Sequence, residues 1–298
     1  MFRAEILKLR STRAAWVLGV VALVGAALVQ AFSVALPRVL AGLESLGTTG
    51  TTFGNTSAPD LAAELTPDLT ALADVSTPAF QRTMLDLLAT GPGGSGSTGV
   101  IAICMLLLGV IAVTTDFRTG GIVPSALVEP SRARILAAKA GASAVVAVVI
   151  GTGIVLLTAA GLLVAISTTP GAVLMLSAGE VLGIWCRGLV VLVLLAWLGL
   201  GVGTLVRSQV GAVVTVGALV LVEPVVQGVV ALLSGGQSAA AAWLPLGLGS
   251  LASTGQGVGQ LLGGAAPFGA AVALAGLCAW VALLLGGGAL AFVRRDLA

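Results

Sequence analysis

Six apolar runs, each about as long as a bilayer is thick, leave this chain few ways to fold. They cover residues 15–36, 98–115, 142–166, 179–205, 210–233 and 268–292. A helix needs about 20 residues to cross the hydrocarbon core. Backbone polar groups find no water there, so each run must satisfy its own hydrogen bonds as a helix. The 298 residues are 58% hydrophobic and only 9% charged, whereas soluble domains carry about 25% charged residues. The expected class is an all-α membrane protein forming a single transmembrane domain over 1–298.

The charges orient these spans. Arg3, Lys8, Arg10 and Arg13 precede the first run; Arg118, Arg132, Arg134 and Lys139 follow the second; Arg207 follows the fourth; Arg294 and Arg295 follow the sixth. Eleven of the fourteen basic residues therefore fall on one side of a six-span threading. Positively charged loops stay cytoplasmic, so both termini are expected inside. The even span count agrees with that placement. The first run is longer than a signal-peptide core, which favours an uncleaved span. Pro37 marks its expected exit.

Between the spans lie three segments of interest. Residues 2–13 place Phe2, Ile6 and Leu9 at helical spacing among Arg3, Lys8, Arg10 and Arg13, the pattern of an amphipathic interfacial helix. A flexible basic anchor is the other reading of the same residues. Residues 37–97 are expected to form an external loop with six of the twelve acids; Leu61, Leu65, Leu69 and Leu72, and then Met84, Leu85 and Leu88, suggest short helices in it. Residues 234–267 carry no charge but are broken by Pro245, Pro267 and glycines, which suits a pair of re-entrant helices before the last span.

Several chemistries are excluded or poorly served. Without histidine, the chain lacks the commonest general base and metal ligand. Cys104, Cys186 and Cys278 all lie in apolar runs, where packing is their simplest role. GPGGSGSTG lacks the Lys-Ser/Thr that closes a phosphate loop and reads as a linker. No basic stripe supports nucleic-acid binding. Glycines are frequent within the spans, including Gly199, Gly201 and Gly203, as close helix packing in lipid requires.

Two groups of residues stand out as functional candidates. The inner segment 116–140 begins with Asp116-Phe117-Arg118, turns at Gly120, and enters a helix at Glu129-Pro130-Ser131-Arg132 that carries Arg134 and Lys139. It is either an ordinary charged loop or a docking element for a soluble subunit. Within the spans, only Arg187 and Glu223 are central, and a mutual ion pair is expected because an unpaired charge there is costly. Arg187 snorkelling towards the outer headgroups, near Glu180, is the alternative.

Taken together, AEILKLRSTRAAW, DFRTGGI, LVEPSRARILAAK, WLPLGLG and the ending RRDLA make the chain resemble permeases of the type-2 ABC exporter family, particularly the actinobacterial kind. The pieces run from end to end. The chain departs from that family at Asp116-Phe117-Arg118, where Glu-Tyr/Phe-Arg is common, at Gly120-Gly121, where Gly-Thr is common, and in its long first external loop. The resemblance implies a permease in the plasma membrane of a bacterium that pairs with a second copy or a sister permease. It also implies a separate ATP-binding subunit contacting Asp116, Phe117, Arg118, Gly120, Glu129, Pro130, Arg132 and Arg134 and the N-terminal helix. No Gly-x4-Gly-Lys-Ser/Thr is present and the only lysines are Lys8 and Lys139, so ATP and magnesium would be held by that partner, with no cofactor in this chain. The rival functions are an ion-coupled carrier and, with less in its favour, a membrane enzyme acting on lipid.

Overall fold

A computed structural model describes residues 2–49, 74–88, 99–120, 131–234, 241–255 and 268–294. Among these, nine α-helices and no strand are present, and six of the helices are long and apolar enough to cross a membrane. The helices are α1 (Phe2–Ser11), α2 (Arg13–Thr49), α3 (Pro78–Met84), α4 (Val100–Thr119), α5 (Arg132–Thr168), α6 (Ala178–Val206), α7 (Gln209–Leu233), α8 (Pro245–Thr254) and α9 (Ala270–Arg294).

The spans sort into a centre and a shell. Two-thirds of the apolar windows of α4 and α6 are buried inside the chain (67% each), against 22% for α7 and α9. Glycine makes the central contact. A Cβ on Gly109 of α4 would overlap the Ala196 carbonyl, and one on Gly199 of α6 would overlap the Leu106 carbonyl. Backbones can meet this closely only where neither helix carries a side chain, and in lipid such packing replaces the hydrophobic drive. Gly201 and Gly203 likewise face Leu284 and Val113, so the glycine run of α6 is spent on two neighbours.

One helix boundary differs from the expected one and another agrees with it. Pro37 lies inside α2 and does not end it. A proline removes one N–H from the ladder, and the long helix continues past that loss, although the stretch apolar enough to span stops at Val39. α5 begins at Arg132, within the helix start expected at Glu129–Arg132, and runs without a break through the apolar run from 142. The basic residues of that segment therefore stand on a rigid extension of the span. Leu61, Leu65, Leu69 and Leu72 lie outside the described residues, as do 121–130 and 256–267.

The described part of the long polar segment, residues 74–88, is more embedded than a loop of its size suggests. α3 starts at the cap Thr77, whose side chain accepts from the Phe80 N–H, with Pro78 in the first turn. Phe80, Met84, Leu85, Leu87 and Leu88 are all buried, packing on α5 and α6 rather than on each other alone. Gln81 Nε2 donates to the carbonyls of Val75 (3.0 Å) and Val173 (2.8 Å), and its Oε1 accepts from the Met175 N–H. α8 is almost entirely buried from Pro245 to Ser253.

Candidate functional site

The helix ends that carry the basic residues converge. The start of α5 and the end of α4 meet through Lys139 and Asp116, and α1 joins them through Lys8 and Glu5. The end of α6 meets the ends of α4 and α9 through Arg207, which lies 5.8 Å from the Phe117 ring and donates to the Ala291 carbonyl at 3.3 Å. One end of the bundle thus joins four of the six spans and α1 through these contacts.

α1 is built to sit there. Its C-terminal turn is closed by the hydroxyls of Ser11 and Thr12, which donate to the Lys8 carbonyl at 2.9 and 2.7 Å. The Trp16 indole N–H donates to the Arg10 carbonyl at 2.7 Å and fastens the corner into α2. The apolar face does not lie free: Leu9 is buried with Ala112, Ala142 and Leu200, and Phe2 covers Gly141. Arg3, Arg10 and Arg13 remain exposed on the opposite side.

The centre of this end is a charge cluster of two acids and two lysines. Lys139 is 2% exposed and donates to Asp116 Oδ2, to Glu5 Oε2 at 3.0 Å and to the Ala112 carbonyl at 3.3 Å. Lys8 donates to Asp116 Oδ1. All three ammonium hydrogens of Lys139 are used, which is what a buried lysine needs. Burial, with repulsion from Lys139, holds Lys8 below the ordinary lysine range, and Glu5 opposes that shift.

This arrangement corrects part of the expected docking set. Asp116 is fully buried and meets α1 and α5, so it is not a surface contact. It closes α4 where two other helices converge, and a carboxylate there pairs inward. Phe117 is half-buried near Arg207, while Arg118 and Gly120 are exposed, Gly120 ending α4 in the left-handed region at φ 70°. Arg134 is exposed on the first turn of α5. Glu129 and Pro130 lie outside the described residues, and the Arg132 side chain is likewise not described. Glu5 and Lys139 were missed as site residues. Their signals were the i, i+3 pair Glu5–Lys8 and a lone lysine among small residues, AAKAGAS.

The expected ion pair between Arg187 and Glu223 is not formed. Glu223 is 3% exposed, and its Oε1 accepts from Gln227 Nε2 at 2.9 Å and from the Gly247 N–H at 2.7 Å. The first turn of α8 has N–H groups without helical partners, so it receives a carboxylate better than a distant guanidinium does. Oε2 has no partner among the described residues. Arg187 instead lies back along its own helix, its Nη1 close to Gly183, one turn nearer the start of α6. Glu180 does not meet it either. That acid closes the capping box with Ser177 and pairs with Arg82 at 3.2 Å.

α8 is held at its other end by a second acid, Asp86, which accepts from Ser253 Oγ at 2.7 Å and from the Leu88 N–H at 3.2 Å. Two buried carboxylates from separate elements therefore pin one short helix. Among the described residues no cluster of three or more His, Cys, Asp or Glu is placed to hold a metal ion. The cysteines are free, with Cys104 buried and Cys186 and Cys278 exposed. Comparison with protein-family models and with curated protein sequences finds no match to the chain.

Proposed function

We propose that this chain is the membrane permease subunit of an ATP-driven ABC exporter whose ATP-binding subunit is a separate protein. The observation that carries the reading is the Glu5–Lys8–Asp116–Lys139 cluster. It ties an amphipathic helix with two exposed arginines, Arg3 and Arg10, to the ends of α4 and α5, on either side of 121–130. A soluble partner pressing on that face would move α1, α4 and α5 together, and α4 is locked to α6 through Gly109 and Gly199. Motion at the surface would thus reach the centre of the bundle. Both lysines are committed to carboxylates, which leaves neither for nucleotide phosphates and suits hydrolysis on a partner chain.

In this reading the basic end is cytoplasmic, as are both termini, and α8 is re-entrant from the outer face. The docking contacts are Arg118, Gly120, Glu129, Pro130, Arg132 and Arg134 with the exposed arginines of α1. Asp116 and Phe117 serve them by position rather than contact. A second permease, identical or a sister, completes the path. The test is co-expression with the ATP-binding protein encoded in a neighbouring reading frame. Arg132→Glu with Arg134→Glu should leave insertion intact but abolish co-purification and permease-stimulated ATP hydrolysis. Wild-type coupling by that double variant would overturn the reading.

One observation favours a second reading, an ion-coupled carrier: Glu223 is a buried acid with an unpartnered oxygen inside a span. Transport that follows an ion gradient, needs no ATP and is lost in Glu223→Gln would select it.

A further inference from the structure

The last turn of α4, the α6–α7 turn and the first turns of α7 enclose a groove of about 630 Å³. Its walls differ in chemistry. Arg118, Arg207 and Ser208 supply charged and polar lining, and Val210, Val213 and Val214 supply apolar lining. The valines recur at i, i+3 and i+4 and so share one face of α7. Val210 and Val214 are 74% and 64% exposed. None of the described lining residues is acidic.

Arg207 is placed with unusual care. It is the single described non-glycine residue in the left-handed region, at φ 57°, a conformation that side chains with a Cβ seldom adopt. The turn sets its guanidinium near the Phe117 ring and against the Ala291 carbonyl, yet its Nε is buried and has no partner among the described residues. Arg118, at the groove mouth, is exposed and forms no ion pair among them. The N-terminus of α7 adds the positive end of its dipole, with Ser208 capping only the Gly211 N–H.

The position selects among anions. The apolar stretches Val100–Arg118, Ala178–Val206 and Gln209–Val230 all begin or end here, so the groove straddles the edge of the hydrocarbon. A phosphate at the arginines with an acyl chain over the valines satisfies both walls, whereas free phosphate satisfies one. We propose that this groove binds one anionic phospholipid, its phosphate held by Arg118 and Arg207 and its chain lying on Val210, Val213 and Val214. Bound there, the lipid bridges α4 and α7 and, through Arg207, α9. The proposal does not depend on the exporter reading.

The full-length chain purified in mild detergent tests it, with phosphatidylglycerol, phosphatidylcholine or inorganic phosphate added. Native mass spectrometry reads retention, and the thermal midpoint reads stabilisation. Phosphatidylglycerol should be retained and raise the midpoint, and the other two should not. Arg118→Gln should lower retention roughly tenfold, the effect of one charge-assisted bond. Arg207 also holds α9, so the second variant is Val214→Trp, which fills the groove and keeps both charges; it should lower retention comparably. Equal retention of the two lipids, protection by phosphate equal to that by phosphatidylglycerol, or unchanged retention in both variants would overturn the proposal.

Discussion

Replacing Lys139 with methionine should be among the most damaging single changes at the basic end of the bundle. The side chain is 2% exposed and Asp116 is fully buried, so little water can replace the lost ammonium. Three acceptors lose a donor: Asp116 Oδ2, Glu5 Oε2 and the Ala112 carbonyl. Breaking a buried pair by removing one partner costs about 3–5 kcal/mol. Lys8 supplies the comparison, because it bonds the other oxygen of the same carboxylate but is 40% exposed. Solvent screening limits Lys8→Met to about 1 kcal/mol. Unfolding in mixed micelles, followed by tryptophan fluorescence, reads the difference. Trp197 is a local reporter, since its indole donates to the Ala140 carbonyl, next to Lys139, at 2.9 Å. Adding Asp116→Leu to Lys139→Met should recover part of the loss, with a coupling energy of about 1–3 kcal/mol. Losses for Lys139→Met and Lys8→Met that are equal and small would refute the placement of Lys139 as the buried centre.

Three further outcomes follow from the packing. Gly199→Val should separate α4 from α6, because the new side chain meets the Leu106 backbone and has no room to turn; the folded yield in detergent should fall sharply, whereas Gly217→Val, with nothing near its Cβ, should behave as wild type. Glu223→Ala should cost more stability than Glu223→Gln in the same micelle assay, since glutamine still accepts from Gln227 and Gly247 while alanine orphans both donors at about 1–3 kcal/mol each. Ser76 bonds, side chain first and then backbone, hold the Asp74 carboxyl below the usual range. A carboxyl lowered by folding stabilises above its unfolded pKa of 3.8 and loses that contribution as pH falls through the lower folded value. Turn 74–77 should therefore loosen as pH falls through the lowered value in the wild type and show no such titration in Asp74→Asn, as the Ser76 amide resonance would report.

Much of the architecture was legible residue by residue. Apolar runs of bilayer length predicted six spans, and their cores coincide with α2, α4, α5, α6, α7 and α9 because a helix is the local solution to backbone bonding in hydrocarbon. The fourth and fifth runs, ending at 205 and starting at 210, leave room only for a tight turn, and Ser208 caps α7. Ends were less legible. Pro37 read as a stop because proline breaks local bonding, but a long helix absorbs one missing donor. The helix start near Arg132 was legible, but the charge of Lys139 gave no sign that the fold buries it.

Partner choice was the least legible. Arg187 and Glu223 were matched as the two central charges, yet Glu223 took the backbone of α8, which becomes a donor only when residues 245–247 form the first turn of a helix. Asp116 read as surface because it closes a span, and the fold turned it towards Lys8 and Lys139. The sequence alone determined that the chain forms apolar helices and that its basic residues gather at alternate ends, since both follow from short-range bonding and charge order. Only the tertiary structure decided which charges meet. In a low-dielectric interior a charge is stabilised by the donor or acceptor within about 3 Å, and that distance is set by packing rather than by spacing along the chain.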